Sequence, residues 1–546
     1  MTLTDSVPGA TTGPLCVDPV RGNSAPDTYW TTANIGEAAP SVMTPLCWSL
    51  WGPGNELAVL GCWHRFGMIG PEQVYVDPDQ NNRLTGVFYG RQAMNIDVIR
   101  EWVDRFPGLT ADDFELGLAG FVHPDPKQFT RLSDRQQALV AGVVEGVRDT
   151  HAERLATMAE QQEAWWQREV LGGRSGEDPV RRLDAAFDRF VRSIGIHNET
   201  RLLVVAAMTS VYQIAAGAGA LYLVLSVTSA FGDVAELSMA ADLWRLAQGD
   251  LDMDVFIRRH GFHGESEGNP AGRSWREMSS LLDPTVAALR GRGADEHPDR
   301  RAERAVARQR TALAEFEAKL DAAGVTALRE AISQVAMSVR ETEIGKAAFL
   351  RAIDGFRAAA RDLGAQLVDE GRLDAVDDVF LFTLDELRAD RGAAVSDAVL
   401  AERRTRIAEY SRYTVPTTFT GMPEPIAKSA ERAAVGDVLT GVGASGRSYE
   451  GTVRIVRRTE DEDALEPGEI LVCEATDPSW TPLFMLAEAV VIDIGSVGSH
   501  GAIVARELGL PAVLNTGDGT RRLRTGDRVL VDGAAGTVTV IALADN

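Results

Sequence analysis

The chain has 546 residues, with 79 acidic against 55 basic side chains and a formal net charge of −24. That balance argues against nucleic acid as a partner, because phosphate binding needs a cationic face. A hydrophobic content of 45% with 25% charged residues is that of a soluble globular protein with material for several domains. The four cysteines (Cys16, Cys47, Cys62 and Cys473) form no CxxC pair and stand at no zinc-ligand spacing from a histidine. They read as reduced thiols, and no metal site is expected on this chain. No basic segment followed by an apolar one marks a signal peptide at the N-terminus, so a cytoplasmic location is expected.

Residues 1–28 are rich in Gly, Pro, Thr and Ser and predict a flexible tail. From Tyr29 to Phe121 the pattern is mixed, with strands predicted at 74–78 (VYVDP) and 86–90 (GVFYG) and tryptophans at Trp30, Trp48, Trp51 and Trp63. Helical periodicity dominates from Ser133 to Glu409, and Ser133 is a good N-cap for the segment after it. Leu202–Gly232 carries no charge, but Thr209, Ser210, Tyr212, Gln213 and later glycines interrupt it. It reads as a buried helix or helix pair, and no membrane span is expected. Arg258–Arg276 breaks the helices with Gly, Asn and Pro and predicts a loop. Residues 301–324 form an amphipathic helix with Gly324 as its stop, and 346–371 another that ends at Gly371. Residues 421–436 have the composition of a linker. After them YEGTVRIVR, EILVCEA, AVVIDIG and RVLVDGAAGTVTVI read as short strands, with one helix, HGAIVARELG, among them.

That helix carries the chemistry. His500 stands where a glycine-bearing loop (Gly495, Gly498) becomes a helix N-terminus, with Gly509 and Pro511 as its stop. Unpaired N–H groups and the helix dipole at such a turn favour an anion, and an imidazole nitrogen is a competent nucleophile toward phosphorus. A phosphate on His500 would be held by this turn. Ser499 can offer a hydroxyl, and Gly498 and Gly501 keep the approach clear.

SHGAIVARELGLPAV (499–513), with TDPSWTPLF (476–484) upstream, resembles the phosphohistidine domain of the PEP-utilising enzyme family. That family includes PEP synthase, pyruvate phosphate dikinase and the rifampicin phosphotransferases. Ser496 replaces the second glycine usual in its motif. Residues 29–49, 260–277, 337–353 and 371–387 resemble the substrate-binding part of rifampicin-phosphotransferase-like proteins. The resemblance implies a mostly α-helical acceptor-substrate-binding domain (29–420), a linker (421–436) and a C-terminal α/β swivelling domain of β/β/α type (437–546).

No glycine-rich ATP-grasp loop is found in residues 1–430, and no PEP-binding barrel is expected. The organisation is similar to the second subunit of phenylphosphate synthases and alkylphenol-phosphorylating kinases. It implies a separate ATP-grasp subunit that binds ATP with Mg2+ or Mn2+, forms AMP and phosphate, and phosphorylates His500. The acceptor would then be a small phenol or alkylphenol. A rifamycin-type antibiotic phosphotransferase is the alternative enzyme, and a non-catalytic phosphocarrier or regulatory module the alternative of another class.

Within the helical part, His263 is the first candidate base, because it lies in a Gly-rich loop and titrates near neutrality. The family often reads Gly-His-Arg-Gly where this chain has Gly261-Phe-His-Gly264, so His260 remains open. Glu267 is a candidate to orient the imidazole, to bind a cation or to contact substrate, or else a solvated loop carboxylate. Arg340 and Lys346 are candidate phosphoryl ligands, or else ordinary helix-surface ion-pairing groups. Trp48, Trp51 and Trp63 either line an aromatic acceptor pocket or fill the core. His64, His123, His151, His197 and His297 suggest no role.

Overall fold

The computed structural model describes residues 16–544, except 34, 39–41, 107–108, 120–121, 128, 130–131, 174–175, 232–234, 265, 292, 294–296, 428–430, 446, 458–464, 467 and 496–498. The helical part is built on α1 (Pro45–Arg65), α2 (Asp134–Trp165), α3 (Pro179–Gly217), α4 (Ala235–Gln248), α5 (Met253–His260), α6 (Pro298–Glu317) and α7 (Ala322–Asp369). Sequence sets the helix starts. Thr44 Oγ1 accepts the Cys47 N–H at 3.3 Å, with Pro45 in the first turn, where its missing N–H costs nothing. Ser133 is the N-cap residue of α2, as expected, and Gln136 Oε1 accepts both its N–H at 3.1 Å and its hydroxyl at 2.7 Å.

Helix α7 runs 48 residues, about 70 Å at 1.5 Å per residue, and lies along α3 with α1 and α2 beside them. Ala348, Ile353, Phe356, Ala360, Leu363 and Leu367 of α7 are fully buried. Helix α3 is long and apolar enough to cross a membrane by length and composition. Here its Val211 and Ala215 pack with Phe316, Leu328 and Ala331 in a core of the helical part.

Four expectations need correction. Gly324 does not stop α6, which ends at Glu317; Asp321 instead starts α7 by accepting the Gly324 N–H at 2.8 Å. Residues 74–78 form no strand, because Asp77 and Asp79 turn the chain locally by accepting the N–H groups of Asp79 and Asn81. Of the expected tail, residues 1–15 lie outside the described residues, whereas 16–28 are packed down. Val20 is in the core, and Arg403 donates to the carbonyls of Cys16 and Val17. Within 421–436, Ile426–Ala427 pairs with Tyr413–Thr414, and Ala433 packs in the core of the C-terminal sheet.

A small sheet of β1 (Tyr29–Thr31), β2 (Thr85–Phe88), β3 (Arg91–Asn95) and β4 (Thr418–Thr420), in the order β2-β3-β1-β4, joins the two ends of the helical part. The C-terminal unit is a larger sheet of β5 (Val438–Thr440), β6 (Val442–Gly443), β7 (Ser448–Ile455), β8 (Glu469–Cys473), β9 (Ala489–Ile492), β10 (Ala512–Leu514), β11 (Arg528–Asp532) and β12 (Thr537–Ala542). Its order is β5-β12-β11-β7-β8-β9-β10-β6. The run β7 to β10 is parallel. Its two central strands, β8 and β9, are buried on both faces and are predicted by the sequence, whereas β10 is not. Helix α8 (His500–Leu508) connects β9 to β10.

One buried group fixes the loop after α5. Asp354 of α7, fully buried, accepts from Trp166 Nε1 at 2.8 Å, Arg276 Nε at 2.9 Å and Arg357 Nη1 at 3.1 Å. Burial pushes its carboxyl up, but Arg276, Arg357 and Trp166 together outweigh that and hold it below the ordinary value. Arg357 then reaches the carbonyls of Asn269 (3.2 Å), Pro270 (3.3 Å) and Glu267 (3.5 Å), and Arg361 those of Ala271 and Gly272.

Removing Arg357 strands both a buried carboxylate and buried carbonyls. We expect Arg357→Met to cost about 3–5 kcal/mol, the scale for breaking a buried ion pair from one side. Denaturant titration checks this, and a loss below about 1 kcal/mol would show that the loop is held by other means.

Candidate functional site

His500 is the first residue of α8. The cap is Ser499, whose Oγ accepts the Ala502 N–H at 3.3 Å, and Gly509 closes the helix at φ 68°, in the left-handed region that glycine adopts freely. Gly501 is required by packing, since a Cβ there would meet Ile492 Cδ1 at 2.5 Å and Thr476 Oγ1 at 2.7 Å. Gly498 lies outside the described residues. The His500 side chain is nearly buried, with the Phe484 ring 6.4 Å away edge-on.

The C-terminal unit is docked so that His500 meets the helical part. Lys346 Nζ of α7 stands 3.2 Å from His500 Nδ1, and because an ammonium has only donors, Nδ1 accepts. Burial, then Lys346, pushes the imidazole well below its ordinary value, with Glu343 opposing. That direction favours the neutral imidazole, the form with a lone pair to offer. Glu343 and Lys346 lie three residues apart and share a face of α7. Gly345, between them, lets α3 approach closely: a Cβ there would stand 3.1 Å from His197 Nδ1.

Across the site, His263 Nδ1 lies 2.7 Å from Glu267 Oε1. The imidazole is wedged between the rings of Phe262 (4.1 Å) and Trp275 (5.6 Å). Burial, then the charges of Arg351 and Lys346, lowers His263 to about 3. Burial raises Glu267 to about 8 against the pull of Lys346 and Arg357. His260 is engaged elsewhere: its Nε2 is 3.0 Å from Asp242 Oδ2, a carboxylate that Arg259 also holds at 2.9 Å. Of the two histidines left open by sequence, the structure brings His263 together with Glu267.

Other expected residues fall in different places. Arg340 donates from Nη2 to the Phe231 carbonyl at 3.4 Å. Trp48 and Trp51 are buried in the main helical core, and Trp63 in a second one against Trp102 at 5.2 Å. Trp51 also donates from Nε1 to the Gly268 carbonyl at 2.6 Å, next to Glu267.

Sequence reasoning missed Asp477, although it lies in the quoted TDPSWTPLF segment. Its Oδ2 accepts the Glu267 main-chain N–H at 3.2 Å, and its Oδ1 accepts the Ser479 N–H at 3.0 Å. Burial, then the Glu267 charge, raises it to about 7.

Residues 465–536 match the family described as PEP-utilising enzyme, mobile domain, and residues 156–344 match the rifampicin phosphotransferase fourth domain. An uncharacterized protein of Mycobacterium bovis is 42% identical over 209 residues, which are 38% of this chain and 24% of that protein. The rifampicin phosphotransferase of Streptomyces sviceus is 28% identical over 302 residues, 53% of this chain and 34% of its own. An uncharacterized phosphotransferase of Bacillus subtilis, YvkC, is 34% identical over 190 residues, 33% of this chain and 23% of its own. The chain thus spans about a quarter to a third of the length of these curated relatives. The chain is thus similar to a rifampicin phosphotransferase fourth domain over residues 156–344 and to a PEP-utilising enzyme mobile domain over 465–536, and Lys346, two residues beyond the first segment, meets His500 of the second.

Proposed function

We propose that this chain is the acceptor side of a phosphotransferase in which His500 carries the phosphoryl group. A separate ATP-grasp subunit, holding ATP with Mg2+ or Mn2+, phosphorylates His500 and releases AMP and phosphate. The C-terminal unit then swings on the chain around 421–432 and presents phospho-His500 to the helical part, a hinge motion about a few residues. The acceptor is a small phenol or alkylphenol. The observation that carries the reading is the Lys346–His500 contact, which sets the imidazole beside a cation in the same site as the His263–Glu267 pair.

In the transfer step the acceptor oxygen forms a bond to phosphorus as the bond from phosphorus to the His500 nitrogen breaks. Lys346 neutralises charge on the phosphoryl oxygens, and positioning does most of the rest. The acceptor proton passes to His263 Nε2. That requires Glu267 as a carboxylate accepting from Nδ1–H, which leaves Nε2 with its lone pair. Protonated Glu267 would instead donate to Nδ1 and leave the proton on Nε2.

A second acceptor class is favoured by a specific observation. The match of residues 156–344 to the rifampicin phosphotransferase fourth domain points to a rifamycin-type macrolactam. Incubating the phosphorylated chain with phenol, an alkylphenol and a rifamycin separately tests both. The proposal expects a phosphorylated phenol and no phosphorylated rifamycin. The reverse result would make the chain an antibiotic-type phosphotransferase, and no acceptor product at all would leave a phosphocarrier. His500→Ala should abolish both phosphoryl uptake and transfer, whereas His263→Asn should spare uptake and slow transfer about 10²–10⁴-fold.

The pH dependence has a definite sign. Because the raised carboxyl must ionise before His263 can accept, the transfer rate should climb as pH rises through about 8. Glu267→Gln should remove that limb, and a wild-type rate independent of pH from 6 to 9 would contradict the pairing.

A further inference from the structure

The loop that carries His263 and Glu267 is bonded both to the helical part and, at Glu267, to the C-terminal unit. Its second half belongs to the helical part, where Arg357, Arg361 and Trp51 bind the carbonyls from Glu267 to Gly272. The first half is also tied to its own part, since the His263 and Ser266 carbonyls accept the Trp275 and Asn269 N–H groups, each at 2.7 Å, and Gly264 bridges Ser274, but it has one further support from outside. Glu267 is almost wholly buried, and its N–H is taken by Asp477 of the C-terminal unit, 210 residues away in sequence. The residue before it, Ser266, sits at φ 51°, in the left-handed region that a residue with a Cβ occupies only at a cost. Asp477 is itself fixed by the Ser479 N–H and hydroxyl. Its neighbour Thr476 lies against Gly501, the residue after His500. One short segment therefore touches both the helix start that bears His500 and the strained turn that bears Glu267.

We propose that Asp477 is a positioning residue which holds the backbone at Ser266 and Glu267 only while the C-terminal unit is docked, so that the arrival of His500 assembles the His263–Glu267 pair. When the unit swings away, the Glu267 N–H loses its acceptor, Ser266 relaxes, and Glu267 leaves Nδ1 of His263. The base is then ready only when a phosphoryl group is present to be transferred. This inference rests on the reading of His263 as the base, but its test does not require turnover.

Amide hydrogen exchange, followed by mass spectrometry on the full chain, reads the turn directly. In Asp477→Ala, peptides covering 264–267 should exchange about tenfold faster, the scale of one hydrogen bond to a charged acceptor, while peptides from α7 and β9 are unchanged. Adding Ser266→Gly, which makes the left-handed conformation easy, should recover a few-fold of that protection. A role of Asp477 confined to its own domain would not respond to a glycine in another part of the chain. Should Asp477→Ala disturb the whole chain, Asp477→Asn keeps the volume while setting an amide N–H against a donor, and should give the same local loss and the same rescue. Unchanged exchange at 264–267, or no recovery with glycine, would overturn the proposal. Because no phosphoryl donor or acceptor is involved, that result would leave the phosphotransfer reading standing, and a failure of transfer would leave this one standing.

Discussion

A single buried carboxylate, Asp354, organises the region in which the site is built. It sits about two thirds of the way along α7, and the convergence of Arg276, Arg357 and the Trp166 indole makes its charge tolerable there. Arg357, once anchored by Asp354, has its remaining donors directed at the backbone of a loop that has no regular secondary structure of its own. Buried carbonyls need partners as much as buried charges do. The ion pair and the loop therefore satisfy each other, and the loop acquires a defined shape for His263 and Glu267 without forming a strand or helix.

The second constraint is the docked face of the C-terminal unit. Helix α8 offers His500 at its N-terminus, and at its other end Glu507 accepts the Phe231 N–H at 3.2 Å. Both ends of the helix thus meet the helical part. Burial, with Lys346 beside it, is what holds the His500 imidazole below its ordinary value in the docked arrangement. A histidine exposed on an undocked domain would titrate nearer the ordinary imidazole value. In the proposed swing, the movement that delivers the imidazole would therefore also tune it.

Much of this was legible in the sequence, and the limits are physical. The start and stop of α8 follow from local rules: a serine cap, a histidine in the first position, an apolar face and a left-handed glycine. Of the parallel run, β8 and β9 announced themselves as short apolar segments and β7 as a β-type segment around Gly451, whereas β10 was not read as a strand. His263 and Glu267 were suggested by a loop rich in glycine, and their pairing is itself local, four residues apart. What could not be read was anything that joins distant segments. Asp477 and Glu267 carry no mutual signal across 210 residues. Asp354, Arg357 and Arg361 did leave a trace, since they fall at spacings of three and four on one stripe of α7 among alanines, glycines and phenylalanines. Charges inside so apolar a stretch are a sign of buried partners. The tryptophans show the converse: Trp48, Trp51 and Trp63 drew attention by their size, and that size is used in the cores.

The central claim is that one imidazole at a helix start accepts a phosphoryl group. It is tested most directly by treating the full chain with phosphoramidate, a small donor that phosphorylates imidazoles, and mapping the modification by tandem mass spectrometry. The account predicts a single acid-labile phosphoryl group on His500. An acid-stable ester on the neighbouring Ser499, or a His500 that stays unmodified while other histidines react, would contradict it.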